Sequence, residues 1–114
     1  MSAAGSQYDR FCSDVVRNQR VFTFTSSGDL LVMPVHGHEV VPFWSSLERL
    51  KQTVKRHPKY AAYEMTEMGF EEFQKWLDQL SDEGVLVGVN WSGARLTGYD
   101  VSVTDLRSAL AHRT

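Results

Sequence analysis

Two histidines and a glutamate stand close together at His36-Gly37-His38-Glu39, and residues of these types bind metals. In a strand, His36 and His38 would lie on one face, and the glutamate would add an oxygen ligand. A tight zinc site needs three or four ligands, however, and the spacing of His57 and His112 does not supply them. A polar turn between two strands accounts for the segment, so we expect no bound metal and no cofactor.

Residues capable of catalysis are present, but none stands in a catalytic pattern. Ser, His and Asp occur without a nucleophile elbow, and the glycine spacing fits no phosphate-binding loop. Glu71 and Glu72 are adjacent on a predicted helix and point about 100° apart, as on a solvated face. No catalytic residue is therefore assigned. The sequence favours a protein that is not an enzyme, with an enzyme of unrecognised motif as an alternative.

Basic residues gather around the end of the second predicted helix. They are Lys51, Lys55, Arg56, His57 and Lys59. Cations favour a helix C-terminus through the macrodipole, which is a structural explanation. Tyr60 and Tyr63 lie beside them and would also suit a nucleic-acid surface. The formal charge of −2 and the lack of a recognised binding motif count against nucleic acid as a partner. Whether this basic face is functional stays open.

The best candidate site follows two apolar strands. Residues 85–89 form a continuous apolar run, typical of a central strand covered on both faces. If this strand is parallel to that of residues 40–44, Asn90-Trp91-Ser92 and Trp44-Ser45-Ser46 emerge at one edge of the sheet. Ligands collect at that edge in open α/β sheets.

Backbone N–H groups at the start of the second helix would suit an anion at this edge. The predicted site consists of Trp44, Ser45, Ser46, Asn90, Trp91, Arg95 and Tyr99. Trp, Tyr and Arg are common anchors of protein interfaces, which favours a partner protein over a small ligand. The structural alternative is that the two tryptophans cap the core and Asn90 satisfies a turn.

Periodicity and turn signals predict the elements that position this site. The predicted strands are residues 21–25, 30–35, 40–44, 60–66 and 85–89, and residues 93–98 are predicted to form a turn or short hairpin. Helices are predicted over residues 6–18, from an N-cap at Ser45, from Phe70 to a closing Gly84, and from an N-cap at Ser102. Pro42 places its strand at an edge or breaks it. Gly88 marks a bulge or the close approach of a helix.

The element order predicts an α+β protein. A single domain would hold a mixed sheet of about five strands, covered by about four helices. The sheet would combine an N-terminal antiparallel meander with strand-helix-strand units, whose crossovers bring parallel neighbours together. At 114 residues the chain is one domain, predicted over residues 6–111 after a disordered segment of residues 1–5.

Composition restricts the compartment. The single cysteine, Cys12, excludes an intramolecular disulfide, and no apolar segment approaches the length of a membrane span. The first residues lack the basic start and apolar middle of a signal peptide. We therefore expect a cytoplasmic protein without membrane association.

Several segments together resemble a known family. They are Gln7-Tyr8-Asp9-Arg10-Phe11, residues 21–25, Val41-Pro42-Phe43-Trp44-Ser45-Ser46-Leu47-Glu48-Arg49, Phe70-Glu71-Glu72-Phe73 with Trp76-Leu77, and residues 82–91. The chain resembles, over residues 7–110, a bacterial family known as domain of unknown function twenty-seven fifty. This resemblance implies a single-domain cytoplasmic α+β protein and no particular activity. The Pro-Phe-Trp-Ser-Ser step is also similar to secretion-enhancer and immunity-type domains.

The function expected from the sequence is that of a non-enzymatic protein-binding module, immunity-like or secretion-accessory. Its partner would be another protein of unknown identity, and a homo-oligomer stays open. The alternatives are a small-molecule or anion-binding sensor at the same strand-end site, and an enzyme without a recognisable motif.

Overall fold

The structure, a computed structural model, describes residues 3–113 and the side chains of residues 6–113. In this range the helices are α1 (Ala3–Asn18), α2 (Leu47–Arg56), α3 (Phe70–Asp82) and α4 (Val103–Ala111), with a 3-10 helix at Pro58–Ala62. The strands are β1 (Arg20–Ser26), β2 (Asp29–Leu30), β3 (Met33–Val35), β4 (His38–Phe43), β5 (Glu64–Gly69), β6 (Leu86–Ser92) and β7 (Thr97–Val101). The predicted disordered segment, residues 1–5, lies partly outside the described residues, and α1 already includes Ala3–Gly5.

The strands form two sheets. One is antiparallel, in the order β2-β1-β5, and the other is mixed, in the order β3-β4-β6-β7 with β4 parallel to β6. A bridge joins them, because Phe22 N–H donates to Trp44 O at 2.9 Å and Trp44 N–H donates to Phe22 O at 2.7 Å. The α+β class, the four helices and the antiparallel start are confirmed. The prediction of one mixed sheet is wrong, because the described residues form two sheets, and their seven strands exceed the predicted count of about five. The N-terminal strands do not form one continuous meander, since β2 and β3 belong to different sheets.

The predicted strand of residues 30–35 is divided between the two sheets. After the Ser27-Gly28 turn, the chain pairs with β1 at Asp29 and Leu30, and Leu31 N–H donates to Phe24 O at 3.1 Å. The chain then crosses to pair with β4 as β3. Pro34 is accommodated because β3 is an edge strand of its sheet. Alternation along the sequence cannot separate one strand of six residues from two shorter ones.

Two other sequence predictions need correction. Residues 60–62 are not strand, because Pro58 starts a 3-10 helix and β5 begins only at Glu64. This turn buries Tyr60 against Phe24, with ring centroids 5.4 Å apart. The predicted hairpin turn after β6 is present, but the strand that follows it, β7, was not predicted.

Pro42 lies in an inner strand rather than at an edge of the sheet. It pairs with Gly88 of β6 in the parallel ladder. On its other side β3 pairs with β4 only as far as Val40, and there the Thr23 hydroxyl donates to Pro42 O at 2.7 Å. The missing N–H of Pro42 is tolerated because no ladder partner stands on that side.

Two apolar cores flank the mixed sheet. The first core lies between the sheet and α1, α3 and α4, and it contains Val87 and Val89. The second core lies on the α2 side and contains Phe22, Phe24, Val40, Trp44, Leu50, Tyr60 and Trp91. The run of residues 85–89 is central, as predicted, since β6 lies between β4 and β7.

Local sequence signals correctly predicted the end of α3 and the start of α4. Gly84 has φ of +70°, and the N–H groups of Gly84 and Val85 donate to the carbonyls of Ser81 and Leu80, which closes α3. Ser102 caps α4 as predicted, accepting from Asp105 N–H at 3.1 Å. No helix in residues 3–113 is both long enough and apolar enough to cross a membrane.

Candidate functional site

The ends of β4 and β6 lie side by side, as their parallel pairing requires. The Trp44 indole donates to Trp91 O at 2.8 Å, and Ser45 N–H donates to the Asn90 amide oxygen at 2.9 Å. We call Trp44, Ser45, Asn90 and Trp91 the strand-end junction. The sequence-based expectation that these residues come together at one sheet edge therefore matches the geometry.

Asn90 gives the junction its shape. Its φ of +49° lies in the left-handed region, where Asn is tolerated better than most residues. The β6–β7 register shifts between Val89 and Ser92, so Asn90 stands in a bulge. As a result, Val89 packs in the first core and Trp91 in the second.

The polar groups of the junction are fully used within the protein. The Asn90 amide donates to Ser45 Oγ at 3.1 Å, and Ser45 Oγ donates in turn to the Asp14 carboxylate at 2.8 Å. Asn90 is fully buried and Ser45 is 2% exposed. In the part of the chain that the structure describes, no buried side-chain N or O lacks a partner. This arrangement suits a structural joint between β4, β6 and α1.

The first turn of α2 begins one residue later than predicted. Ser46, rather than Ser45, is the N-cap, and its hydroxyl accepts from Arg49 N–H at 3.3 Å. Ser45 is instead held by Asn90 and Asp14. One of the backbone N–H groups at the start of α2, that of Arg49, therefore already has a partner.

Arg95 and Tyr99 do not lie together. Tyr99 stacks on Tyr8 of α1, with ring centroids 4.9 Å apart. Side chains alternate along β7, and its neighbours Gly98 and Asp100 face Trp91 on the other side. Arg95 belongs to the turn between β6 and β7 and is exposed on the Trp91 side.

Trp91 forms a rigid floor on this side of the sheet. Its indole covers Gly88 and Gly98, where an added Cβ would lie 2.5 Å and 2.8 Å from the ring. Its Nε1–H donates to Asp100 Oδ1 at 2.8 Å. Gly88 thus makes room for a tryptophan, not for a helix.

Two open cavities adjoin this floor, each of about 600 Å³. They share His57, Trp91 and Leu96. The α2 cavity is lined by Glu48, Arg49, Gln52, Thr53, Lys55, Arg56, His57, Trp91, Ser92, Gly93 and Leu96. The hairpin cavity is lined by Met33, Pro34, Val35, His36, His57, Lys59, Tyr60, Trp91, Ala94, Arg95, Leu96, Thr97, Gly98 and Asp100. Together we call them the basic groove.

His57 stands where the two cavities meet. Its Nε2 lies 3.0 Å from Gly93 O, which can only accept, so Nε2 carries the hydrogen. This bond ties the end of α2 to the turn between β6 and β7. The shared residues and this bond make the two cavities parts of one groove.

The groove is positively charged on a negatively charged protein. Five Lys and Arg side chains line it against two carboxylates, a formal charge of +3, while the whole chain carries −2. Seven basic and twelve acidic residues remain elsewhere in the chain. A local field of this sign attracts anionic groups.

The groove cations are not neutralised by neighbours. Among the described residues the ion pairs are Arg17–Asp14, Arg20–Glu67, Arg107–Asp78 and Arg113–Asp9, and none involves the groove. Arg49 donates to the Gln7 side chain at 2.7 Å, and the Lys59 ammonium lies 5.3 Å from the centre of the Tyr60 ring. Lys55, Arg56 and Arg95 extend into solvent without a carboxylate partner in residues 6–113.

Two titrating groups in the groove depart from their ordinary behaviour. Burial raises the pKa of Asp100, against the Trp91 hydrogen bond and the nearby His36 and His38, which lower it. Burial also raises the pKa of Tyr60. Cys12 lies outside the groove, and its pKa is raised to about 11 chiefly by burial, as expected of a core thiol.

Of the predicted site residues, Trp91 and Arg95 line the groove, whereas Ser45 and Asn90 line neither cavity. Among the described residues of the basic face, Lys55, Arg56, His57 and Lys59 line it as well. Sequence reasoning missed Leu96 and Asp100. No local signal marks them, because the turn and the β7 register decide where they lie.

An α+β domain with one open basic groove is the class of protein that this geometry defines. A model of the family described as protein of unknown function (DUF2750) matches residues 8–110. The chain therefore belongs to this family, as the resemblance in the sequence implied. No curated protein matches the chain.

Proposed function

We propose that this protein is a non-enzymatic protein-binding module and that its partner binds in the basic groove. The observation that carries the proposal is a preformed, partly apolar groove lined by Lys and Arg side chains, none of which forms an ion pair within residues 6–113. An immunity-like or secretion-accessory role is the concrete form of this proposal. The proposal includes a cytoplasmic setting, which the single cysteine supports because chains rich in disulfides are typical of oxidising compartments.

The construction of the groove suits a macromolecular partner. Protein interfaces combine an apolar centre with a polar rim. Trp91 and Leu96 lie at the centre here, and Lys55, Arg56 and Arg95 lie at the rim. The Trp91 ring is fixed by Asp100 and by the two glycines beneath it. Little ordering of the Trp91 ring is therefore required on binding, which favours affinity.

The arrangement of reactive groups supports a non-enzymatic role. Ser45 Oγ donates to the Asp14 carboxylate, but Ser45 is 2% exposed and lines neither cavity. Cys12 is buried, and its raised pKa disfavours the thiolate. Asp100, with its raised pKa, is bound to an indole rather than to a nucleophile.

Quantitative capture from an extract of the source organism tests the proposal. Wild type is compared with Lys55→Glu/Arg56→Glu, and Lys75→Glu, at an exposed position of α3, is the control charge reversal away from the groove. We expect a specific protein recovered by wild type and by Lys75→Glu and lost by the groove variant. Equal recovery by all three would place the partner elsewhere, and no specific recovery would contradict the proposal.

A small anionic ligand is the second candidate, and the hairpin cavity favours it. About 600 Å³ lies within the usual range of small-molecule pockets, and Lys59, Arg95 and Tyr60 line it. A rise in melting temperature with a small anion such as inorganic phosphate, abolished by Arg95→Glu, would select this candidate. An unchanged melting temperature would exclude that anion as a ligand.

A further inference from the structure

We infer that the partner presents an acidic segment with a central apolar side chain, which binds across both cavities of the basic groove. This inference rests on the proposed function and names the chemistry of the partner.

The charge of the groove favours an acidic partner. Lys55 and Arg56 extend from the last turn of α2, Lys59 from the 3-10 helix, and Arg95 from the turn between β6 and β7. They surround the groove from both of its walls, and no ion pair in residues 6–113 occupies them. Carboxylates on a bound segment would supply the missing partners.

The centre of the groove is apolar and favours an apolar side chain on the partner. Leu96 is half-buried, lines both cavities and packs beside Trp91, so an apolar side chain placed between flanking acidic residues would contact Leu96. The Asn90 bulge brings Trp91 to this side of β6. Acidic residues on both sides of one apolar residue therefore match the order of cations and apolar surface in the groove.

A nucleic acid also carries anionic charge, but the aromatic residues of the groove favour an acidic protein segment instead. Single-stranded nucleic acids gain affinity by stacking bases on accessible aromatic rings. The aromatic residues of the groove, Trp91 and Tyr60, are only 4% and 5% exposed, so they offer little face to a base. The whole chain also carries a net charge of −2. Carboxylates with an apolar anchor fit better than stacked nucleotides.

Fluorescence anisotropy with defined probes tests the inference. The main probe is a labelled peptide in which Glu and Asp flank a central Leu. The controls are the same peptide with Gln and Asn in place of the acidic residues, and an oligothymidylate. We expect the acidic peptide to bind more tightly at low salt than at high salt, and to bind at least about tenfold more tightly than either control.

Variants locate the binding. Lys55→Glu/Arg56→Glu should weaken the acidic peptide about tenfold or more, and Arg95→Glu provides a second, independent reversal. Lys75→Glu should leave the affinity unchanged. Melting curves establish that each variant is folded, and because these side chains are exposed, folding should be retained.

Three results would overturn the inference: no binding of the acidic peptide, equal binding of the neutral peptide, or preferential binding of the oligothymidylate. If one of these occurs while capture from the extract still depends on Lys55 and Arg56, the proposed function stands and only the acidic chemistry fails. If groove-dependent capture also fails, both proposals fall.

Discussion

Asn90 illustrates how a single residue sets both the fold and the groove. Its left-handed backbone places Trp91 on the α2 side of the sheet. Its side-chain amide oxygen accepts a hydrogen bond from Ser45 N–H. The sequence singled out Asn90 as a binding residue and also allowed that it satisfies a turn. Its complete burial and its hydrogen bonds favour the structural role.

Asn90→Ala should lower the free energy of unfolding by about 2–4 kcal/mol, because it adds left-handed strain and leaves buried polar groups without partners. Asn90→Gly loses the same amide but tolerates the backbone, and should cost about 1–2 kcal/mol less. Urea unfolding of both variants measures the difference. Equal losses would show that the left-handed backbone is not a source of the cost.

Asp100 should make stability depend on pH in a particular direction. Burial raises its pKa in the folded state, so its favourable contribution is complete below the unfolded pKa and is lost as pH rises through the folded pKa. Asp100→Asn keeps an oxygen that can accept from Trp91 and does not titrate. The stability of wild type relative to this variant should therefore fall as the pH rises above the ordinary Asp pKa of about 3.9.

Urea unfolding of wild type and Asp100→Asn below and above this pH checks the sign. An increase of the relative stability with pH would mean that Trp91 and the two neighbouring histidines outweigh burial, and that the pKa of Asp100 is lowered in the folded protein.

Secondary-structure elements were predicted correctly from the sequence where neighbouring residues in the chain determine them. Helix periodicity, the glycine that closes α3 and the cap of α4 depend on neighbours in the chain, and all were predicted. The Ser27-Gly28 turn belongs to the same class, since both residues have positive φ, as a two-residue hairpin favours.

Elements whose limits are set by distant partners were not predicted. Residues 30–35 divide between two sheets because β1 and β4 pair with different parts of the segment. β7 forms because it pairs with the free edge of β6. Residues 60–62 form a helical turn in which Tyr60 packs on Phe24. Alternation along one segment contains none of these tertiary contacts.

Gly88 lies directly against the Trp91 ring, so a single methyl group added at Gly88 should destabilise the protein. Gly88→Ala places a Cβ 2.5 Å from the ring, so Trp91 must move from Asp100, at a cost of about 1–3 kcal/mol. Gly69→Ala is the matched control, because nothing lies within 4 Å of its added Cβ. Thermal unfolding should distinguish them clearly, and equal stabilities would contradict the packing described here.

The assignment of Ser46 as the N-cap of α2 can be tested with a pair of substitutions, one that removes the cap and one that restores it. Ser46→Ala removes the cap and should destabilise the protein by about 0.5–2 kcal/mol, while Ser46→Asp keeps an oxygen acceptor for Arg49 N–H and should restore most of the loss. Chemical denaturation measures both variants. A loss in Ser46→Asp as large as that in Ser46→Ala would argue against Ser46 as the N-cap.

At the scale of the whole molecule, the ion pairs and the groove cations lie in different regions. Its ion pairs within the described range lie outside the groove, and in that range no carboxylate forms an ion pair with a groove cation. The sequence indicated both the basic face and the strand ends, but it did not show that Trp91 and Arg95 belong with the basic residues. That relation depends on the Asn90 bulge and on the turn between β6 and β7, whose geometry follows from tertiary pairing.

The most direct test of the groove as the binding site is an amide chemical-shift map. The isotopically labelled protein is titrated with the acidic peptide defined above, and shifts of each backbone N–H are followed by two-dimensional NMR. We expect the largest shifts in residues 55–59 and 92–97, with little change around Tyr8 and Tyr99. Shifts concentrated around Tyr8 and Tyr99, or none that saturate, would contradict binding in the groove.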